Sequence, residues 1–314
     1  MKKLISVITP CYNEELNVKI CYETVKKIFE EKLPDYDYEH IFCDNSSADS
    51  TVQILKEIAG VDKRVKIIVN SRNFGAFHSV FNGILSAKGD AVLAMLAADL
   101  QDPPEMILDF IKKWKEGYQI IYGVKEKRQE NFIMSSIRKF YYRLLNNLAN
   151  IPIPLDASEF QFIDKVVVNA LRKFDDYYPY VRGMIASCGF KSTGIGYVWK
   201  TRKRGVSKSK FYDLIDNGLN GLISFTNIPL RICMFFGFFL SATSILYAFF
   251  QLIMTLLWRN EFVPFGIATL TVALFFFAGI QLFFLGVLGE YIGAIHFQVR
   301  KKPLVIEKER INFE

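Results

Sequence analysis

Leu4-Ile5-Ser6-Val7-Ile8-Thr9, followed at once by Pro10-Cys11-Tyr12-Asn13-Glu14, is the stretch on which the fold turns. A short, nearly unbroken apolar run that ends in a polar cluster reads as a strand buried on both faces. Met1-Lys2-Lys3 precedes it, but the run is too short for a secretion signal and stops at Pro10. Outward from it the same alternation repeats. Asn13 is expected to cap a helix carrying Leu16, Ile20, Val25, Ile28 and Phe29, and Tyr38–Cys43 is a second strand ending in Asp44-Asn45-Ser46-Ser47. A helix from about Thr51 to Ala59 leads to a third strand, Val65–Val69. Another helix, around Ala76–Ala87, leads to a fourth strand, Ala91–Leu96, which runs on to Asp99. This repetition predicts an α/β fold with a mostly parallel sheet and helices on both faces. Ligands of such sheets bind beyond the carboxyl ends of the strands. Those ends read Pro10-Cys11-Tyr12-Asn13-Glu14, Asp44-Asn45, Arg72-Asn73 and Asp99-Leu100-Gln101-Asp102, and this polar rim is the candidate site.

The remainder of the chain adds a membrane problem. Its 314 residues are 51% hydrophobic and 23% charged. The charge is ordinary for a globular protein, so the positive mean hydropathy, +0.17, has a local source. Ile232–Trp258 is a window of 27 residues without Asp, Glu, Lys or Arg, and Phe262–Gly289 is another of 28. Both exceed the roughly 20 residues that cross a bilayer. A wholly soluble chain is thereby excluded, as are collagen-like, disordered and disulfide-framework classes. The five scattered cysteines, with no C-x-x-C spacing, indicate a reducing compartment. The net charge of +7 suits anionic partners. Asn131–Asn150 has the spacing of a basic amphipathic helix, which either lies on a membrane or packs against the domain; Phe211–Phe225 is a second such segment. The expected organisation is an α/β core over 1–130, the remainder of that domain with interface helices over 131–230, a transmembrane hairpin over 231–297 and a tail over 298–314.

Acidic strand ends in a chain with 3 histidines point to an oxygen-ligated Mg²⁺ or Mn²⁺ rather than zinc. Such a metal is held by one or two carboxylates plus substrate phosphates, and it would neutralise a diphosphate leaving group. Asp99 has an alternative reading as the N-cap of a helix opened by Pro103-Pro104-Glu105. No G-x-x-x-x-G-K-[ST] or G-x-G-x-x-G motif is present, so ATPase and dinucleotide readings lose their usual support.

Taken together, Val7–Glu14, Asp44–Thr51 and Asp99–Glu105 resemble family-2 glycosyltransferases. More narrowly they resemble the polyprenyl-phosphate group that includes dolichol-phosphate mannose synthases and bactoprenol glucosyltransferases. The likeness continues through Arg182-Gly183, Arg202-x-Arg204-Gly205-x-Ser207-Lys208 and Gly289-Glu290-Tyr291-Ile292-Gly293, and so covers nearly the whole chain. It implies a GT-A-type fold, a Mg²⁺ or Mn²⁺ cofactor, a nucleotide diphosphate sugar donor (a UDP-sugar expected) and a polyprenyl phosphate acceptor, at the cytoplasmic face of the inner membrane. The bilayer is then a partner, nucleic acid is not, and a homo-oligomer is left open. Carried over by position, the resemblance assigns Pro10, Tyr12, Asn13, Glu14, Asp44, Asn45, Arg72 and Ala98 to the nucleotide sugar. Asp99 and Gln101 fall to the metal and diphosphate, Asp99 and Asp156 to catalysis, and Arg128, Arg202, Arg204, Ser207 and Lys208 to the phosphates. Guanidinium and ammonium groups suit that last task. Two departures stand out: Ala97-Ala98-Asp99 lacks one carboxylate of the usual Asp-x-Asp, and Asn45 replaces a usual Asp. A phosphate monoester is mostly dianionic at pH 7, with a second pKa of about 6. Asp156 is therefore expected to orient the acceptor more than to deprotonate it. A polysaccharide-extending membrane transferase and a catalytically weak nucleotide-sugar-binding scaffold are the alternatives.

Overall fold

The computed structural model describes residues 2–127, 157–174, 179–200, 230, 232–240, 242–243, 246, 253, 266–300 and 302–313. The chain forms two units, Met1–Ser224 together with Lys301–Glu314, and Phe225–Arg300.

In the first unit the sequence opens β1 (Lys3–Cys11), α1 (Val18–Lys32), β2 (Tyr36–Asp44), α2 (Thr51–Val61), β3 (Val65–Asn70), α3 (Ala76–Ser86) and β4 (Ala91–Ala94). It continues with a 3-10 turn (Pro104–Met106), α4 (Ile107–Lys115), β5 (Ile120–Lys127), β6 (Ala157–Asp164), α5 (Lys165–Leu171), α6 (Val181–Ser187) and β7 (Ser192–Val198), and ends in β8 (Glu307–Ile311). These strands form one sheet in the order β7-β5-β6-β4-β1-β2-β3-β8. β1 pairs parallel with β2 and β4, and β2 with β3, as expected. β6 runs antiparallel to both β4 and β5, and β8 antiparallel to β3. The chain winds from β1 to β3 on one side and then places β4 on the other, so a topological switch point lies between β1 and β4. That is where an open sheet of this kind forms its ligand crevice.

Two apolar layers explain the strand composition. On one face Val18, Cys21, Val25, Ile28 and Phe29 of α1 join Leu55, Ile107 and Phe110 against Ile5, Val7 and Phe42. On the other, Val80, Phe81 and Ile84 of α3 join Val167, Leu171 and Met184 against Ile8, Ile41 and Ile68. With both faces covered, the central strands cannot show polar–apolar alternation, which is why β1 reads as a continuous run.

The helix expected after Asn13 begins instead at Val18, with Asn17 at the N-cap, and Leu16 lies outside it, 59% exposed. The segment before it is drawn into the rim described below. A further difference is the tail, whose residues Glu307–Ile311 are an edge strand of the sheet rather than an appendage.

His40 on β2 has no exposed surface; its Nε2 lies 2.8 Å from Thr9 Oγ1, and its ring stacks on Phe42 at 4.0 Å. Burial pulls its pKa down from 6.5 to about 3. A histidine held neutral contributes its full stability above the unfolded value, and loses it as pH falls from about 6.5 toward 3, by up to roughly 1.4 kcal/mol per pH unit. The thermal midpoint should therefore fall between pH 6 and pH 4 more steeply in the parent chain than in His40→Gln. Parallel curves would show that His40 does not govern acid sensitivity.

In the second unit, residues 232–240 are helical and α7 spans Gly266–Val299. Among the described residues one stretch, Phe276–His296, is long and apolar enough to cross a membrane. Of Ile232–Trp258, the other expected span, about half falls outside the described residues. Phe276, Leu282, Phe283, Leu285 and Ile292 are all more than half exposed, as a helix facing lipid would leave them.

Candidate active site

The carboxyl edge of the sheet is built by two interlocked loops. After β1 the backbone turns at Asn13, whose φ is +52°, and after β2 it turns at Ser46, with φ +62°. Asn13 N donates to Ser47 Oγ (2.8 Å), Ala48 N donates to Asn13 Oδ1 (2.7 Å) and Glu14 N donates to Thr51 Oγ1 (2.8 Å). These bonds consume the polar residues of Asp44–Thr51 and hold residues 13–14 out of the helix that starts at Val18. Left-handed backbone recurs at Gly75 (φ +89°), Met95 (φ +60°) and Leu100 (φ +55°), all at this same edge. Strain of that kind gathers where the surrounding structure fixes a site.

Asp44 has no exposed surface, and Ser47 donates to it twice, from Oγ to Oδ1 and from N to Oδ2 at 2.9 Å. Burial pushes its pKa up while the Ser47 bonds pull it back. Asn45 is 3% exposed, and its Oδ1 accepts from Asn70 Nδ2 (3.1 Å), Ser79 Oγ (2.6 Å) and Phe74 N (3.3 Å). Asp44 and Asn45 thus stand behind the rim and brace it. Ala98 also turns into the core, 4% exposed. Tyr12 and Arg72 are exposed, while Pro10, Asn13, Glu14, Asp99 and Gln101 are half-buried at the surface. The Arg72 guanidinium lies 3.9 Å from the Phe74 ring centre.

Across the switch point, β4 leads into the acidic segment. Asp99 Oδ1 accepts from Gln101 N at 3.2 Å. Neither the 3-10 turn nor α4 has a side-chain cap, so Asp99 is not the helix N-cap. Asp102 is 9% exposed; its Oδ1 accepts from the Tyr197 hydroxyl and lies 3.7 Å from Lys125 Nζ. Among the described residues no group of three or more His, Cys, Asp or Glu side chains is arranged to hold a metal. The oxygen donors at Asp99 and Gln101 therefore fit a hard cation only if phosphate oxygens complete its shell.

Asp156, Arg128, Arg202, Arg204, Ser207 and Lys208 lie outside the described residues. Their attachment points are described. β5 and β7 run in the same direction as β1, and β6 runs opposite. The end of β5, which Arg128 follows, the start of β6, which Asp156 precedes, and the end of β7 all fall on the carboxyl edge. Lys200 just beyond β7 pairs with the acidic segment, its N donating to Gln101 O at 3.0 Å, and Arg202 follows two residues later. Arg182, 9% exposed, donates from NH1 to Ala157 O at 2.6 Å and lies 3.7 Å from Glu159 Oε1. Burial pushes the Glu159 pKa up, against Arg182 and Lys125. Lys125, Glu159 and Tyr197 are rim-side groups that sequence reading misses, because strand pairing alone brings them together. The described chain also runs out at this edge beyond β7, and it comes back where Glu307 faces Asn70 and Ser71 N donates to Ile306 O at 2.8 Å.

The mostly parallel α/β sheet with a polar crevice at its switch point is GT-A-like in architecture, and an apolar helical unit is inserted in the chain before its last strand. Residues 6–172 match the model of glycosyl transferase family 2, and residues 228–295 match the GtrB C-terminal hairpin. The chain is 36% identical over 310 residues to uncharacterized glycosyltransferase YkcC of Bacillus subtilis (strain 168), covering 98% of this chain and 94% of that one. It is 32% identical over 306 residues to the SfII prophage-derived bactoprenol glucosyl transferase of Shigella flexneri, covering 97% of each. The chain belongs to glycosyl transferase family 2 and is a glycosyltransferase.

Proposed function

We propose that the chain transfers a single sugar, with inversion, from a nucleotide diphosphate sugar to undecaprenyl phosphate or a similar polyprenyl phosphate on the cytoplasmic membrane face. The observation that carries this reading is that the rim, the attachment points of Asp156 and of the basic run, and the start of β8 share one edge of the sheet. Relatives named as bactoprenol glucosyl transferases agree with such an acceptor. Tyr12, Glu14 and Arg72 would hold the nucleotide, braced from behind by Asp44 and Asn45. Asp99 and Gln101 would share Mg²⁺ or Mn²⁺ with the diphosphate, and the metal would supply charge neutralisation at the leaving group. Arg128, Arg202, Arg204, Ser207 and Lys208 would grip phosphate, since guanidinium and ammonium groups pair well with its oxygens. The acceptor, already mostly dianionic near pH 7, needs orientation more than deprotonation, and Asp156 is assigned to that.

Membranes containing the chain, incubated with labelled nucleotide sugars and polyprenyl phosphate, should accumulate one lipid-linked monosaccharide from one donor. Polymer would instead support a polysaccharide-extending enzyme. Retained nucleotide binding without turnover would support a scaffold.

A further inference from the structure

Gly123 on β5 has a consequence at the rim. A Cβ built there would lie 2.7 Å from Tyr197 Cε1 and 3.0 Å from Ser158 Oγ, so glycine is what lets the Tyr197 ring lie across β5. β5 and β7 pair in parallel with Lys125 opposite Tyr197. The ring is 5% exposed and meets Phe160 edge-on at 6.1 Å, and its hydroxyl donates to Asp102 Oδ1. Lys125 Nζ approaches that oxygen to 3.7 Å and sits 4.7 Å from the Trp199 ring centre. One residue beyond Trp199, the backbone of Lys200 donates to Gln101 O (3.0 Å), and Gln101 Nε2 donates to Lys200 O (3.2 Å). The acidic segment is thereby clasped to the ends of β5 and β7.

We propose that Tyr197 and Asp102 are a positioning pair that holds Asp99 and Gln101 in the arrangement that binds metal and diphosphate, a role that rests on the donor-site reading of this segment. Leu100, between the two, has φ +55°, and a non-glycine residue stays there only when its surroundings over-determine it. A hydroxyl bonded to a carboxylate is stronger than a neutral pair and supplies that restraint. Asp102 is thus withheld from the metal and committed to geometry. Gly123 belongs to the same device, since any side chain there would push the phenol aside.

The test is Tyr197→Phe in the full chain, which removes one oxygen and keeps the ring packing. UDP and GDP are the probes, with Mn²⁺ titrated against each, and thermal unfolding is measured alongside. The Mn²⁺ concentration for half-maximal nucleotide binding should rise about tenfold, the scale of a lost hydrogen bond to a charged group, while the unfolding midpoint moves by only a few degrees. A parental Mn²⁺ dependence in folded Tyr197→Phe overturns the proposal. So does a lowered midpoint with unchanged Mn²⁺ half-saturation, which would make the pair merely structural. If Tyr197→Phe does not fold, Gly123→Ala, whose Cβ would meet Tyr197 Cε1 at 2.7 Å and displace the phenol with no change of charge, takes its place in the same titration. A raised Mn²⁺ half-saturation in that variant supports the pair, and an unchanged one overturns it. Absence of Mn²⁺-dependent binding of either nucleotide by the parent chain overturns the donor-site reading, and this proposal with it.

Discussion

Asp99→Ala should lower sugar transfer about a thousandfold and remove Mn²⁺-dependent nucleotide binding while leaving the fold intact. The expectation follows from how the other carboxylates at this edge are used. Asp44 is enclosed and bonded twice by Ser47, and Asp102 is engaged by Tyr197 and Lys125. Ala97 occupies the position where the resembled families often carry a further Asp. Asp99, half-buried on a turn beside the switch point, is left as the carboxylate proposed to carry the metal contact with Gln101 and the diphosphate. Its loss should not unfold the domain, since no helix depends on it for a cap. Turnover, Mn²⁺-dependent binding of UDP and the unfolding midpoint should be measured on one preparation. Near-normal turnover in Mg²⁺ or Mn²⁺ would remove the metal assignment.

The central strands were readable from sequence because burial on both faces leaves a continuous apolar run, and β1 to β4 fall where those runs lie. The rim was readable as a place, since polar residues follow each run. It was less readable in its detail. Asn45 and Asp44 look ligand-facing by type, and what the sequence does not show is that Ser47 donates to Asp44 and that Asn70, Ser79 and Phe74 donate to Asn45, partners that only the loop geometry brings close. Asn13 looks like a helix cap, yet its oxygen serves Ala48 and the helix waits until Val18. β8 carries no strand signal at all. Glu307-Lys308-Glu309-Arg310 is charged because an edge strand has solvent on one side, and charge there discourages pairing with other chains. Its strand character is set by β3, more than two hundred residues away in sequence, and by ion pairs such as Lys56 Nζ to Glu309 Oε2 at 2.6 Å.

A thiol at position 260 should react with an impermeant maleimide added outside intact cells, whereas a thiol at Lys308 should react only after permeabilisation. The reason begins with β8. Ile67 pairs with Ile311 and Val69 with Glu309, so the residues after the apolar unit belong to the same sheet as the residues before it. A chain that leaves and rejoins one sheet must cross the membrane an even number of times. Phe276–His296 is long and apolar enough for one crossing, and a single crossing would strand β8 on the wrong side from β3. A chain that crosses there would need a second crossing, and Ile232–Trp258 is the remaining charge-free window long enough to make it. Arg231 and Arg300-Lys301-Lys302 flank the pair on one side, against Arg259 beside Glu261 on the other, and the proposed cytoplasmic placement of the sheet rests on that bias. Lys308 is an exposed position on β8, so it tolerates the change, and serine at Cys188 and Cys233 would remove the partly exposed native thiols. Equal labelling of both positions in intact cells, or the reverse pattern, would overturn the assignment. It would also separate the rim, where the donor is proposed to bind, from the compartment that supplies nucleotide sugars.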